Sequence, residues 1–95
     1  MLLSYNQTKE QLAGLPGWEV AEGHIQKIYT FQDFAASIKF VNKVAFLAEA
    51  ANHHPDININ YNKVTFTLST HSEGGTTEKD LALAGKIQAT AESIN

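Results

Sequence analysis

Cysteine is absent from this chain, methionine and tryptophan occur once each, and there are only two prolines. Without cysteine no disulfide can form and no thiol can act as a nucleophile. A surplus of positive charge is missing as well: seven Lys and Arg stand against ten Asp and Glu, a net charge of -3. Nucleic acids and anionic membranes are held through basic surface, so no general affinity for either is expected. There is no internal repeat, no low-complexity tract and no linker. No apolar run approaches the length of a membrane span, and Met1-Leu2-Leu3 is too short for a secretory leader. A cytoplasmic protein is the expectation.

What is present is ordinary for a soluble globular protein: 95 residues, 43% hydrophobic and 18% charged. That length predicts a single domain spanning residues 1–95. A domain of this size buries only about 60–65% of its unfolded surface, so association with further copies of itself would add stability.

Thr8, with Gln11 three residues on, reads as a capping box that opens a short helix, with Leu12 and Leu15 on its buried side and Pro16-Gly17 as its stop. Two strands are expected at Trp18–Glu22 and His24–Phe31, around Gly23. Asp33 is the natural N-cap of a second helix, because its carboxylate can accept the free amides of the first turn. Phe34, Ile38, Val41, Ala45 and Ala48 recur at helical spacing, and Phe40, Val44 and Leu47 widen the stripe. Pro55 bars helical geometry in the residue before it, so this helix should end near Asn52 or His53.

Ile57, Ile59 and Tyr61 then alternate with Asn58, Asn60 and Asn62, and Val64, Phe66 and Leu68 with Thr65, Thr67 and Ser69. A period of two predicts strands with one buried face, joined by a tight turn at Asn62-Lys63. After Gly74-Gly75, Thr77 caps a last helix with Asp80 in its first turn. Leu81, Ala84, Ile87, Ala91 and Ile94 form its apolar face. The order α-β-β-α-β-β-α predicts an α+β two-layer sandwich, a four-stranded antiparallel sheet with helices packed on one face.

Three of the four histidines are close in sequence. The chain reads Glu49, three residues, His53-His54-Pro55, five residues, Tyr61, nine residues, His71, eight residues, Asp80. With an unperturbed pKa of about 6.5, histidine suits proton transfer in both directions near neutrality. Glu49, one helical turn before His53, could orient an imidazole, and Pro55 would aim the two rings. Strict alternation along the last strand puts His71 on the side of Thr65, Thr67 and Ser69, away from the core, so a bulge or the strand's end must redirect it. A zinc site built from His53, His54, His71 and Glu49 is the rival reading of the cluster.

The whole string resembles the signature of the pterin-4a-carbinolamine dehydratase family. The likeness runs through Asn52-His53-His54-Pro55-Asp56, Tyr61-Asn62-Lys63-Val64 and Ser69-Thr70-His71, and extends to Leu15-Pro16-Gly17-Trp18 and to Phe31 with Asp33-Phe34. It covers nearly the whole chain. The resemblance implies a hydro-lyase that dehydrates 4a-hydroxytetrahydrobiopterin, or a close pterin, to the quinonoid dihydropterin, with no cofactor and no metal. It implies proton-transfer roles for His53 and His71 and pterin binding by His54, with Glu49, Pro55, Tyr61 and Asp80 in support. Asp80 would serve His71 or only its own helix. The resemblance further implies a homodimer or homotetramer and a link to an aromatic amino-acid hydroxylase. Two alternatives stay open: a dimerisation partner of a homeodomain transcription factor, and a paralogue that binds pterin without turning it over. In one place the chain departs from the family: some members carry an aromatic pair where Ile57-Asn58 stand, so no stacking role is expected there.

Overall fold

The computed structural model of the protein describes residues 1–93. Its helices are α1 (Tyr5–Gln11), α2 (Phe34–Ala51) and α3 (Glu78–Ser93), and its strands are β1 (Glu19–Ala21), β2 (His24–Thr30), β3 (Asp56–Asn60) and β4 (Lys63–Leu68). The four strands form one antiparallel sheet in the order β1-β2-β4-β3. The element order and the α+β sandwich are those expected from the sequence. Ile94 lies outside the described residues.

The first helix starts earlier than Thr8. Ser4 is its N-cap: the Gln7 amide donates to Ser4 Oγ at 3.1 Å, and Gln7 Oε1 accepts from the Ser4 amide at 2.8 Å. Ser4-x-x-Gln7 and Thr8-x-x-Gln11 both have the spacing of a capping box. Burial explains why the second is not used. Thr8 is buried one turn into the helix, and its hydroxyl donates back to the Ser4 carbonyl. A 3-10 turn at Leu12–Gly14 carries the chain out, with Leu12 buried.

Helix α2 is capped as expected, the Ala36 amide donating to Asp33 Oδ1 at 2.8 Å. Its buried line is Ser37, Phe40, Val44 and Ala48, flanked by half-buried Val41 and Leu47. The stripe is therefore rotated from the one expected around Phe34 and Ala45. Phe34 is 51% exposed and Phe46 is 78% exposed. Phe40 sits at the centre of an aromatic cluster, with the rings of Phe31, Tyr29 and Phe66 at 5.0, 5.4 and 5.7 Å. Burying a side chain of this size contributes about 1.5–3 kcal/mol.

The cross-strand register puts Ile25, Tyr29, Val64, Phe66 and Leu68 on one face of the sheet, and all five are buried beneath α2 and α3. From α3 come Leu83, Ala84, Ile87 and Ala91, with Leu81 half-buried beside them. The opposite face, with Gln26, Ile28, Thr65 and Thr67, is uncovered, and Ile28 is 57% exposed. Strand β3 departs from the expectation of a buried face. Its Ile57 and Ile59 pair with Phe66 and Val64, yet each stays 37% exposed, because β3 is the sheet's edge. The β3–β4 turn is Tyr61-Asn62, one residue earlier than expected, with Tyr61 in the left-handed region (φ 54). Asn62 holds it: its carbonyl accepts from the Phe31 amide and its side chain donates to the Phe31 carbonyl.

Candidate active site

The site grows from a helix end. Asn52 follows α2 in the left-handed conformation (φ 50). Its amide donates to the Glu49 carbonyl at 3.2 Å, and the His53 amide donates to the Ala48 carbonyl at 3.1 Å. These are the paired bonds of a Schellman stop, and asparagine is one of the few residues besides glycine that takes this conformation cheaply. Pro55 then sends the chain into β3. His53 and His54 are thus fixed at the junction of α2 and β3.

The other half of the site comes from the end of β4. Thr67 pairs with Asp56, so the residues after Leu68 run beside the segment that carries the two histidines. Regular strand geometry stops at Leu68. Thr70 turns inward and is buried, and its backbone bridges Gly75. His71 opens a 3-10 turn, His71–Glu73, closed by Gly74 (φ 78). Thr70 continues the inward alternation of Val64, Phe66 and Leu68, and His71 follows it into the 3-10 turn rather than along a strand. The His71 ring is exposed and makes no hydrogen bond among the described residues.

Asp80 joins the two halves. It is fully buried (0% exposed) in the first turn of α3. His53 Nε2 lies 2.5 Å from Asp80 Oδ1, with the His53 side chain only 11% exposed. Asp80 Oδ2 accepts from the Thr70 hydroxyl at 2.9 Å and from the Thr77 amide at 2.9 Å. Asp80 was expected to serve either His71 or only its own helix. It does cap its own helix, and the histidine it meets is His53 rather than His71. Glu49 likewise pairs with the other histidine: His54 Nε2 is 2.5 Å from Glu49 Oε2. This second contact is open to water, with side chains 56% and 76% exposed, and so contributes little to stability.

Tyr61 is not brought to the cluster. It lies in the turn beyond β3, 63% exposed, and the extended strand separates it from Pro55 by about 20 Å at about 3.3 Å per residue. Two contributors were given no role in the site by the sequence reading. Thr70, inside the recognised Ser69-Thr70-His71 run, and the Thr77 side chain are both buried and meet at 2.7 Å between hydroxyls. A threonine next to a site histidine at a strand's end was the available signal. Among the described residues no three His, Asp or Glu side chains are grouped to hold a metal ion. A cleft of about 550 Å³ lies elsewhere, lined by Leu2, Leu3, Tyr5, Gly23 and Thr76 among others, and none of the three histidines reaches it.

This arrangement can move protons. One imidazole is anchored on a buried carboxylate, a second is on the surface beside it, and a third is carried by the turn that follows Thr70. Comparisons with known proteins give the chain's family. Residues 1–90 match the family model described as pterin 4 alpha carbinolamine dehydratase. A Cyanothece protein provisionally named as a pterin-4-alpha-carbinolamine dehydratase is 54% identical over 86 residues, 90% of this chain and 89% of its own. The crystal structure of a transcriptional coactivator/pterin dehydratase from Brucella melitensis superposes with a TM-score of 0.91 at 36% identity, covering 96% of this chain and 99% of that one. A pterin dehydratase-like protein described as a RuBisCO assembly factor in the alpha-carboxysome is more distant, with a TM-score of 0.64, 25% identity, and coverage of 78% and 86%. A match running through the His53-His54-Pro55 junction, the His71 turn and Asp80 makes this chain a member of the pterin-4-alpha-carbinolamine dehydratase family.

Proposed function

We propose that the protein dehydrates a 4a-hydroxytetrahydropterin, in the simplest case 4a-hydroxytetrahydrobiopterin, and so serves the recycling of tetrahydrobiopterin. The reaction removes the proton on ring nitrogen N5 and delivers a proton to the hydroxyl leaving C4a. The C–O bond breaks, the C4a=N5 double bond forms, and the products are the quinonoid dihydropterin and water. No electrons are exchanged with a second reactant, so protein acids and bases suffice. His53 and His71 act as the proton-transfer pair, and His54, held by Glu49, binds the pterin. The observation that carries this reading is the buried Asp80 carboxylate, bonded both to His53 and to Thr70, the residue before His71. An acid or base so held typically contributes roughly 10²–10⁴-fold in rate.

Stopped-flow dehydration of a synthetic carbinolamine by chelator-treated protein tests the reading. His53→Ala and His71→Ala should each lower the maximal rate by about 10²-fold, the low end for a lost acid or base. His54→Ala should raise KM more than it lowers kcat, as expected of a contact shared by ground and transition states. Full turnover in both His53→Ala and His71→Ala sinks the mechanism, and a large loss on chelation that zinc restores sinks its independence of metal.

The protein works in the cytoplasm as a homodimer or homotetramer, beside an aromatic amino-acid hydroxylase that would supply the substrate. Support for self-association comes from the exposed apolar residues of edge strand β3, Ile57 and Ile59, and from Phe34 and Phe46 on α2. Those two phenylalanines also favour a second reading, in which the α2 surface docks another protein, as the coactivator description of the Brucella relative suggests for that protein.

A further inference from the structure

The hydrogen bonds around Asp80 have only one consistent set of directions. The Thr77 amide can only donate, and it donates to Asp80 Oδ2. The Thr70 hydroxyl has a single proton, and that proton also goes to Oδ2. In the 2.7 Å contact between the two hydroxyls, Thr77 must therefore be the donor and Thr70 the acceptor. Thr77 Oγ1 in turn accepts from the Lys79 amide at 3.2 Å. The chain of donors runs Lys79 amide, Thr77 hydroxyl, Thr70 hydroxyl, Asp80, every dipole pointing at the carboxylate. Chains of this kind polarise one another and strengthen each bond in a dry interior, and Thr70, Thr77 and Asp80 are all buried.

Oδ2 thus accepts from two donors, and a carboxylate offers only acceptors. Oδ1 is the remaining oxygen, and it faces His53 Nε2 at 2.5 Å. The hydrogen in that contact must then sit on the ring, as Nε2–H. We propose that Thr70, backed by Thr77, is a positioning residue that fixes the Nε2–H tautomer of His53 through Asp80, and that Nδ1 is therefore the nitrogen through which His53 exchanges protons. His53 Nδ1 makes no hydrogen bond among the described residues, so it is left available. The inference deepens the dehydratase reading, on which its catalytic half rests, but the tautomer itself exists without substrate and is measured without it.

The measurement is a long-range proton–nitrogen NMR spectrum of the uniformly labelled protein, taken with His53 neutral. Wild type should show a protonated Nε2 and a bare Nδ1. Finding the proton on Nδ1 overturns the proposal before any variant is made. In Asp80→Asn, the Thr77 amide and the Thr70 hydroxyl still demand an oxygen at the Oδ2 position. The new NH₂ must then face His53 Nε2, which becomes an acceptor, and the ring proton moves to Nδ1. Wrong-tautomer catalysis is slow, as in the handling of histidine by the serine-protease aspartate. In this variant kcat should fall about 10²-fold, to the level of a lost base. Adding Thr70→Val removes one of the two donors that orient the amide, so Asp80→Asn/Thr70→Val should show both tautomers, and Thr70→Ser in place of Val should restore the single one. Retention of Nε2–H in Asp80→Asn, or identical spectra with Val and Ser at position 70, overturns the role of Thr70. The predicted tautomer pattern in a protein with no carbinolamine turnover would leave the positioning network standing and refute the dehydratase reading alone.

Discussion

Replacing Asp80 should cost stability in steps set by how many buried donors each substitution leaves without an acceptor. Alanine abandons two fully internal donors, the Thr77 amide and the Thr70 hydroxyl, and also frees His53 Nε2. An orphaned buried donor costs about 1–3 kcal/mol, so the two together cost about 2–6 kcal/mol. Asparagine keeps an acceptor for both donors and loses only the charge on it. Charged bonds exceed neutral ones by about 1 kcal/mol, so Asp80→Asn should cost about 1–2 kcal/mol. The total stability of a chain this long is about 5–14 kcal/mol, so alanine should bring the protein close to its limit while asparagine leaves it folded. Urea unfolding followed by circular dichroism, with free energies compared at matched m-values, measures both. Equal losses for Ala and Asn, or an Asp80→Ala protein within about 0.5 kcal/mol of wild type, would refute the view that the carboxylate is the acceptor on which this corner depends.

Burial pushes the Tyr29 phenol up to about 12. The unfolded phenol ionises near 10, so between about pH 10 and 12 the folded state holds the extra proton and stability must fall as pH rises, by about 1.4 kcal/mol per unit. Lys27, lowered by its own burial, works in the opposite sense below its unfolded pKa of about 10.4. The phenol is therefore isolated by comparison with Tyr29→Phe, whose stability difference from wild type should shrink across that window; a constant difference rejects the assignment. Asn52→Ala should cost about 1 kcal/mol through its left-handed backbone while Asn52→Gly should not, and equal melting temperatures for the two would show that this backbone stores no such cost. Light scattering at micromolar protein should give a small whole-number multiple of 10.4 kDa, which Ile59→Lys should lower by charging the β3 edge; a wild-type monomer contradicts the assembly proposed.

Where a structural element depends on near neighbours in the chain, the sequence reading and the structure agree. Asp33 caps α2, the helix stops at Asn52, Val64, Phe66 and Leu68 face inward, and Thr77 opens α3 with Asp80 in its first turn. Disagreement begins where two local solutions are equally good or where a partner is remote. Ser4 and Thr8 have the same capping spacing, and only the burial of Thr8 separates them. The apolar residues of α2 nearly encircle the helix, so periodicity could not tell that Phe40 faces the sheet and Phe46 faces away. The alternation in β3 is real, but the strand's edge position leaves its isoleucines half uncovered. In the candidate site, the histidines and both acids stood out by type and spacing, while their pairing did not. Glu49 sits one turn from His53 along the helix, yet the Schellman turn at Asn52 swings the chain so that His54 meets it. Asp80 is nearer His71 in sequence, yet α3 packs against α2, and His53 is at α2's end.

That pairing has a consequence for what mutation can separate. Asp80 accepts the Thr77 amide at the start of α3 with one oxygen and holds His53 with the other, so the group that begins the last helix is also the group that orients the candidate base. At position 80 alanine removes both roles, and asparagine keeps the cap's acceptor only by giving up the charge and reversing the contact with His53. Position 70 is different. Thr70 contributes one of the two donors on Oδ2, while the Thr77 amide, a backbone group, remains in every variant. The helix cap therefore survives Thr70→Val, and what is lost is the second constraint on how the carboxylate is turned toward His53. If the two roles of Asp80 are coupled only through its orientation, Thr70→Val should lower kcat with KM unchanged while costing less stability than Asp80→Ala. If stability and turnover instead fall together at position 70 in the proportion seen for Asp80→Ala, Thr70 is simply part of the packing, and the orientation of the carboxylate is set by the helix cap alone.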